Sequence, residues 1–414
     1  MSSYSEVHLS CRSYQLSALS FQLSEPVKKP LTAETAETAE KKILRILGEL
    51  CVLCGKTSHF LTRSKMPGPT RCKEPLDVAS RPPVQLREGV AQVRRASGRT
   101  VLVSPDGSSA TRIGEIGEEL LPLLVRGADV DGLAAFLQRQ HPRARDIPVK
   151  LDRFLAELDL GGLLATSQHP SRRARSGTKR VPLFNLDRLA RNLAEWWRWI
   201  PAPQSHCLVA LLVVAAAIGL VAAWLGDPRR LNPAGLVARF DPVGLVVFVF
   251  MVVPLHELSH AVACRAAGVP VTGAGIILRS YVIPGPYVET TQAYRIANRW
   301  RRFWIPATGP LVDFLASGTA AWTVVLTGGD GPVGRASLYV LLLSLLFVYL
   351  DTNPLIASDG SHMLEALLDD ELARTTAVSR HDAGLSRRSV IRTYRLVCAA
   401  HVVVAALIVA WLAA

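Results

Sequence analysis

Five apolar segments of about twenty residues constrain the fold of this 414-residue chain more than any other feature. A helix needs about twenty residues to cross the hydrocarbon core of a bilayer, and there its backbone must satisfy its own hydrogen bonds. The segments lie at residues 207–225, 243–263, 305–326, 337–356 and 396–414. They predict a mostly α-helical protein whose C-terminal half is a multi-pass bundle of about five transmembrane helices.

Lysine and arginine residues alternate between the two sides of these segments. Residues 171–200 hold eight of them, and the later connections hold three (226–242), six (265–302), one (327–336) and six (359–395). Because basic loops stay in the cytoplasm, this pattern places the N-terminus and the long loops on the cytoplasmic side of the cell membrane. The net charge of +13 follows from the same topology. We therefore expect a lipid bilayer, and no nucleic acid, as the partner of the basic residues.

The second segment contains the pentad His256-Glu257-Leu258-Ser259-His260, in which Glu257 is the only carboxylate of the segment. Ionisable side chains at bilayer depth are costly, so three of them within five residues require a reason. Residues i and i+4 of a helix share one face, so the two histidines can bind one zinc ion. Glu257 beside them can take a proton from a bound water. The structural alternative is a histidine pair that forms hydrogen bonds between packed helices.

A catalytic zinc ion usually keeps three protein ligands, so a third one is expected elsewhere. Asp359 is the candidate, because it follows the fourth segment and a carboxylate oxygen suits zinc. Asn353-Pro354 should break the helix before it, and Gly360 allows a tight backbone turn beside it. The second and fourth segments both run from outside to inside, which brings all three ligands to the cytoplasmic end. Taken alone, Asp359-Gly360 would indicate only a turn at the membrane surface.

The pentad and the later Asn353-Pro354 and Asp359-Gly360 resemble the HExxH and NPxxxxDG motifs of the site-2 protease family of intramembrane zinc metalloproteases. The segment between them also resembles bacterial members, at residues 286–289, in the basic stretch to Arg302 and at residues 307–313. The resemblance covers roughly residues 182–414.

What the resemblance implies is one catalytic Zn²⁺ ion and a glutamate base. The implied ligands are His256, His260 and Asp359, and the implied base is Glu257. It further suggests that Asn353 and Asp313 contact the substrate.

The chain departs from the family at two positions. Many members have asparagine where this chain has Asp313, and bacterial relatives often have tyrosines where it has Ser361-His362. His362 could support a ligand, replace one, or lie at the membrane interface, and we expect the interfacial position.

Residues 269–288 are rich in glycine, proline and β-branched residues, which predicts strands or a re-entrant hairpin instead of helix. Non-helical backbone near membrane depth is tolerated where it lines a protein cavity. A free strand edge there could pair with an extended substrate peptide. The alternative is a surface hairpin without a role.

Residues 84–166 are predicted to form a separate cytoplasmic α+β domain. Three strands are expected at 90–94, 100–104 and 110–113, and three helices at 115–125, 130–140 and 148–158. This order suggests a small winged-helix-like domain. The pattern, which closes on Phe154-Leu155 and Leu158, resembles PqqD-like domains (RiPP recognition elements) and implies capture of a leader peptide as an added strand. A general regulatory domain is an alternative, and DNA binding is less favoured because no helix carries a clear basic stripe.

The connection to the membrane bundle, residues 167–204, has two parts. Residues 171–180 predict a basic, flexible linker. Residues 182–200 predict an amphipathic helix ending in Trp196-Trp197-Arg198-Trp199, a combination typical of an interfacial anchor.

The first 83 residues predict a poorly structured extension. Within it, Cys51, Cys54, His59 and Cys72 have a loose version of the spacing of a small structural zinc site. No signal peptide is expected, because no compact apolar core follows a basic region. The seven cysteines and the inward topology argue against a disulfide framework.

The chain thus divides into an extension (1–83), a PqqD-like peptide-binding domain (84–166), a linker with an interfacial helix (167–204) and a transmembrane metalloprotease domain (205–414). We expect a zinc-dependent endopeptidase that removes the leader from a ribosomally synthesised peptide. One alternative is regulated cleavage of a membrane-tethered signalling protein. The other is a non-catalytic adaptor or export component that binds peptides. The oligomeric state is left open by the sequence.

Overall fold

The computed structural model describes residues 83–107, 109–144, 146–166, 179–232, 236, 239–279, 283–378 and 387–413. The N-terminal extension, with its candidate metal ligands between residues 51 and 72, lies outside these residues, and so does most of the basic linker. Within the described residues the chain is mostly helical, with five helices long and apolar enough to cross a membrane and two small antiparallel sheets. The predicted fold class is therefore confirmed.

The N-terminal domain has the strands and helices that its sequence predicts. Its sheet has the order β1-β2-β3 and consists of β1 (Ala91–Arg94), β2 (Thr100–Val103) and β3 (Ala110–Arg112). Three helices follow, α1 (Glu115–Arg126), α2 (Val130–Gln140) and α3 (Ile147–Leu160). One face of the sheet and the helices share a buried apolar core that includes Leu102, Leu133 and Leu158.

The segment before the first membrane helix differs from the prediction. It forms a strand, β4 (Lys179–Phe184), followed by helix α4 (Leu186–Arg198). The predicted helix start at residue 182 is therefore wrong, and the predicted linker ends before residue 179. Asn185 begins the helix, because its side chain accepts a hydrogen bond from the backbone N–H of Asp187. At the other end of α4 the three tryptophans are exposed, as an interfacial anchor requires.

The five predicted membrane helices are all present. Four come first, α5 (Ala202–Gly226), α6 (Pro242–Ala266), α7 (Arg299–Thr327) and α8 (Gly331–Asp351). The short helices α9 (Asp359–Leu368) and α10 (Ala373–Val378) lead to the fifth, α11 (Arg388–Ala413). The fourth predicted segment extends too far, because α8 ends at Asp351, ahead of Pro354.

Helix α7 lies at the centre of the bundle, in contact with α5, α6, α8 and α9. Small residues allow this close approach, as is common between membrane helices. A Cβ atom added at Gly318 would lie 2.2 Å from the Cβ of Ala216 on α5. Nearby, Trp322 Nε1 donates a hydrogen bond to the carbonyl of Ala215 at 2.8 Å.

A second sheet lies between α6 and α7 in the sequence. Strands β5 (Ala274–Arg279) and β6 (Ile283–Val288) confirm the predicted hairpin. Strand β4 pairs with β5, so the order is β4-β5-β6 and β6 is an edge strand. The pairing partner of β4 lies about ninety residues away in the chain, and such a partner cannot be recognised from local sequence.

The central strand β2 of the N-terminal sheet is buried on both of its faces. Side chains alternate along a strand, so Val101 and Val103 face away from Leu102 and the helical core, yet they are only 1% and 0% exposed. Arg95, next to β1, donates to the carbonyls of Tyr294 and Ile296 in the connection between β6 and α7. The N-terminal domain therefore packs on the loops that follow α6 and α8, on one side of the membrane bundle.

The contact between α5 and α7 gives a test of the bundle. We expect Gly318→Ala to lower the free energy of unfolding by about 1–3 kcal/mol, because the added methyl overlaps the backbone of Ala216. Thermal unfolding in detergent, followed by circular dichroism, measures the change. Gly226→Ala is the matched control, since a Cβ at this exposed position meets nothing within 4 Å. Equal melting temperatures for the two variants would contradict the close packing.

Candidate metal centre

The two histidines of the pentad lie side by side on α6. His256 and His260 are 9% and 6% exposed, with ring centroids 4.8 Å apart. Just before them the helix contains a wide π-helical turn at Phe248–Val252. Pro254 accounts for this turn, because proline has no N–H and its ring displaces the carbonyl four residues earlier. The regular helix that resumes at Val253–Ala266 places both imidazoles on one face.

Asp359, the first residue of α9, completes a triangle with the two imidazoles. The Nε2 atoms of His256 and His260 are 3.1 Å apart, and Asp359 Oδ2 lies 3.3 Å and 3.2 Å from them. A tetrahedral zinc ion with bonds of about 2.0–2.1 Å separates its ligand atoms by about 3.3 Å. The three atoms therefore match the spacing that zinc requires. Burial alone would raise the pKa of Asp359, but His260 and His256 lower it below its ordinary value.

Gly309 of α7 leaves space beside this triangle. A Cβ atom at Gly309 would lie 2.5 Å from the Nε2 atoms of both His256 and His260. Real Cβ atoms do not approach so closely, so any larger residue would push against the two ligand nitrogens. The glycine forms a cradle in which an ion would contact all three ligand atoms.

The second nitrogen of each imidazole has a hydrogen-bond acceptor. His256 Nδ1 lies 2.8 Å from Asp313 Oδ2, and His260 Nδ1 lies 2.7 Å from the carbonyl oxygen of Ile305. A carbonyl can only accept, so His260 carries its proton on Nδ1 and presents a lone pair at Nε2. This arrangement is typical of metal-binding histidines. Pro306, which lacks an N–H, interrupts the hydrogen-bond ladder of α7 next to this carbonyl.

Asp313 and Asp351 both lie near Nδ1 of His256. Asp313 is 1% exposed and occupies the closer position, so its predicted contact with substrate stays a prediction. Sequence reasoning missed Asp351, whose Oδ2 atom is 3.9 Å from the same nitrogen. The signal that could have found it is a carboxylate at the inner end of a membrane helix, two residues before Asn353. Two carboxylates therefore face the rear of one imidazole.

Hydrogen bonds made by its own side chains fix the conformation of the connection between α8 and α9. Asn353 Oδ1 accepts from the backbone N–H two residues later at 2.9 Å, and its predicted contact with substrate stays a prediction. Ser358 and Ser361 form a reciprocal capping box that starts α9 at Asp359. Gly360 has a different role from the predicted tight turn. It is helical, and a Cβ there would lie 2.3 Å from the carbonyl oxygen of Thr352.

Glu257 and His362 are the other two side chains that the sequence singles out, and each lies within three residues of a proposed ligand. Glu257 follows His256 directly and is half-buried. His362 Nδ1 lies 3.1 Å from Glu365 Oε2, and its side chain is 48% exposed. This partner and this exposure favour the expected interfacial position of His362 over a role as a substitute ligand.

The outer edge of β6 differs from an ordinary free strand edge. The backbone N–H of Glu289 donates to the carbonyl of Gly273 at 2.8 Å, so alternate residues of β6 point their N–H groups at β5. Pro284 and Pro286 occupy the intervening positions, which face outward. Because proline has no N–H, a peptide on this edge would find carbonyl acceptors but lack two donors.

Comparison with known proteins identifies part of the chain. Residues 244–352 match the model of Peptidase family M50. The match includes the HExxH pentad, Asp313 and Asp351, and it ends before Asp359. Searches of curated proteins and of solved structures gave no match. The PqqD-like assignment of the N-terminal domain stays a prediction. Residues 244–352 are therefore similar to peptidase family M50, which agrees with the site-2 protease resemblance of the pentad.

Proposed function

We propose that the protein is a zinc-dependent endopeptidase that cuts peptide bonds at the cytoplasmic side of the cell membrane. The triangle of His256 Nε2, His260 Nε2 and Asp359 Oδ2, with sides of 3.1 to 3.3 Å, carries this proposal. A histidine pair that only joined helices would point its nitrogens at separate partners. Here the two Nδ1 atoms have such partners, while both Nε2 atoms converge with a carboxylate beside Gly309.

The residues of the site have separable chemical roles. A bound zinc ion would supply Lewis acidity, which acidifies a water molecule and polarises a peptide carbonyl. Glu257 takes a proton from the attacking water and delivers it to the leaving amine nitrogen. Asp313 and the Ile305 carbonyl keep the imidazoles in the tautomer with a lone pair at Nε2. Asn353 is a better candidate than Asp313 for contact with the substrate. Its oxygen accepts from a backbone N–H, but an amide also has a nitrogen that can donate, whereas the Asp313 carboxylate faces His256.

The proposed cytoplasmic position of the site has two supports. Lysine and arginine counts favour a cytoplasmic N-terminus and cytoplasmic loops after α6 and α8. The packing agrees with this topology, because the N-terminal domain contacts both of those loops through Arg95, which pairs with Glu371 and donates to the Ile296 carbonyl.

The proposed substrate is the leader of a ribosomally synthesised peptide, captured by the N-terminal domain. A cavity of about 480 Å³ opens between β1 and α1 and would accept such a peptide. Its apolar lining comes from Leu121, Pro122 and Val125. Its charged residues are Arg94, Arg126 and Glu118, the last of which already accepts from a backbone N–H. Apolar side chains flanked by arginines suit a peptide that carries both apolar and acidic residues.

The outer edge of β6 would present a substrate strand in an unusual way. Carbonyl groups at Pro284 and Pro286 accept hydrogen bonds but their nitrogens donate none. A substrate strand on this edge would therefore be held by its own N–H groups. Fewer hydrogen bonds favour release of the product, and the missing donors protect an exposed edge from aggregation.

We expect Glu257→Gln to keep its zinc and to lose cleavage activity by about 10²- to 10⁴-fold, the usual contribution of a general base. Zinc content of the purified protein and cleavage of a labelled peptide are the two measurements. Glu195→Gln, a change at an exposed position of α4, should alter neither. Full activity of Glu257→Gln would exclude the proposed base.

Gly309→Ala tests the cradle directly. Its methyl group would lie 2.5 Å from both ligand nitrogens, so we expect zinc affinity to fall by about 10- to 100-fold. Competition with a chelator measures this affinity without any substrate. The control is Gly226→Ala, which adds the same methyl group to an open position of a membrane helix. Unchanged zinc affinity in Gly309→Ala would contradict the placement of an ion beside Gly309.

The proposed leader site is tested by Val125→Asp in the full chain. The new carboxylate lies in the apolar part of the cavity, so we expect the KM for a ribosomally made precursor peptide with its leader to rise about tenfold or more, equivalent to about 1.4 kcal/mol of binding. The control is Val149→Asp, a comparably exposed position on α3 that does not line the cavity. Equal KM values, or efficient cleavage of only a membrane-tethered signalling protein, would exclude the leader proposal.

A further inference from the structure

Three arginines and three consecutive acidic residues form a buried cluster where the N-terminal domain meets the membrane bundle. We name this group the arginine–carboxylate cluster. Its pairs are Arg95 with Glu371 (Nε–Oε1 2.6 Å), Arg112 with Asp370 (Nη1–Oδ1 2.5 Å) and Arg302 with Asp369. Two of the arginines belong to the N-terminal domain, and the third belongs to α7.

The acidic residues follow directly on α9, the helix that begins with the proposed ligand Asp359. Asp369 ends this helix in the left-handed region, with φ of +53°, a conformation that is uncommon for aspartate. Its carboxylate is held by Arg302 and by the backbone N–H of Ser97, the latter at 3.0 Å. The ten residues of α9 form a helix about 15 Å long. Because so short a helix moves nearly as a rigid body, a displacement of Asp369 also displaces Asp359.

The same cluster also reaches the other half of the metal centre. Arg302 lies on α7, three residues before Ile305, whose carbonyl orients His260. Arg95 and Arg302 both donate to the carbonyl of Ile296, at 2.7 Å and 2.8 Å. The start of α7, which lies near His260, and the end of α9 opposite Asp359 are therefore fastened to one another and to Arg95 beside β1 of the N-terminal domain.

Burial makes the cluster sensitive to the loss of any one member. The side chains of Arg95, Arg112 and Arg302 are 0%, 7% and 5% exposed, and those of Asp369 and Asp370 are 8% and 6% exposed. Charges removed from water require partners, so loss of Arg112 would leave the buried Asp370 with the more distant Arg99, at 3.7 Å, in place of its 2.5 Å contact. The matched charges hold the domain interface in one arrangement.

We infer that the N-terminal domain positions the third metal ligand. Arg95 and Arg112 bind the acidic residues that follow α9, and this contact fixes the position of Asp359 relative to the two histidines. Capture of a peptide by the N-terminal domain and assembly of the metal site would then be coupled through α9. This inference rests on the proposed function in one respect, namely that Asp359 binds zinc.

The test uses the full chain in detergent with Arg112→Glu, which opposes Asp370 with a like charge, and with Arg112→Lys, which keeps the charge. Arg143→Glu, at an exposed position on the same domain, is the control. We expect Arg112→Glu to lower zinc affinity by about 10- to 100-fold, as loss of a supporting residue does elsewhere. Arg112→Lys should recover most of this affinity, and Arg143→Glu should leave it unchanged. Chelator competition measures zinc affinity.

Amide hydrogen exchange of residues 359–368 separates failure of this inference from failure of the proposed function. We expect exchange in α9 to be at least about tenfold faster in Arg112→Glu than in wild type, since local opening exposes its amides. This readout needs no metal and no substrate, so it applies even if the wild type binds no zinc. If Arg112→Glu does not fold, Arg112→Gln replaces it, because it removes the charge with less repulsion. Wild-type exchange and wild-type zinc affinity in the folded variant would overturn the inference.

Discussion

The imidazoles and carboxylates buried inside an apolar bundle dictate how the surrounding helices must pack. Polar side chains at membrane depth are stable only with partners. The Nδ1 atoms of His256 and His260 contact Asp313 and a backbone carbonyl, and their Nε2 atoms meet Asp359. The cost of burying these groups explains why α6, α7, α8 and α9 all contribute to one small region.

The bundle reaches this geometry with small residues and prolines. Gly309 and Gly318 bring α7 against its neighbours, and each occupies a position where a Cβ would overlap other atoms. Pro254 widens one turn of α6 shortly before the histidines, and Pro306 interrupts α7 beside the carbonyl that orients His260. Departures from regular helix are thus concentrated around the candidate metal site, where other helices can satisfy the freed backbone groups.

The N-terminal domain packs directly against this region of the membrane bundle. Its sheet buries a second apolar face on the membrane domain, with Val101 and Val103 almost without exposure. The ion pairs of the interface lie at the far end of α9 from Asp359. The N-terminal domain and the candidate metal centre therefore contact opposite ends of one helix.

Elements with strong periodic or length signals could be predicted from the sequence, namely the five membrane helices and the strand and helix order of the N-terminal domain. The pairing within the pentad could be predicted too, because helical spacing puts His256 and His260 on one face of any helix. Tertiary structure decided what depends on partners distant in the chain. Strand β4 forms because β5 is available to pair with it, where local sequence predicted a helix start. The positions of Asp351 and Gly309 beside the histidines become apparent only when their helices pack against α6. Distances between helices are set by packing and leave no periodic signal in the chain.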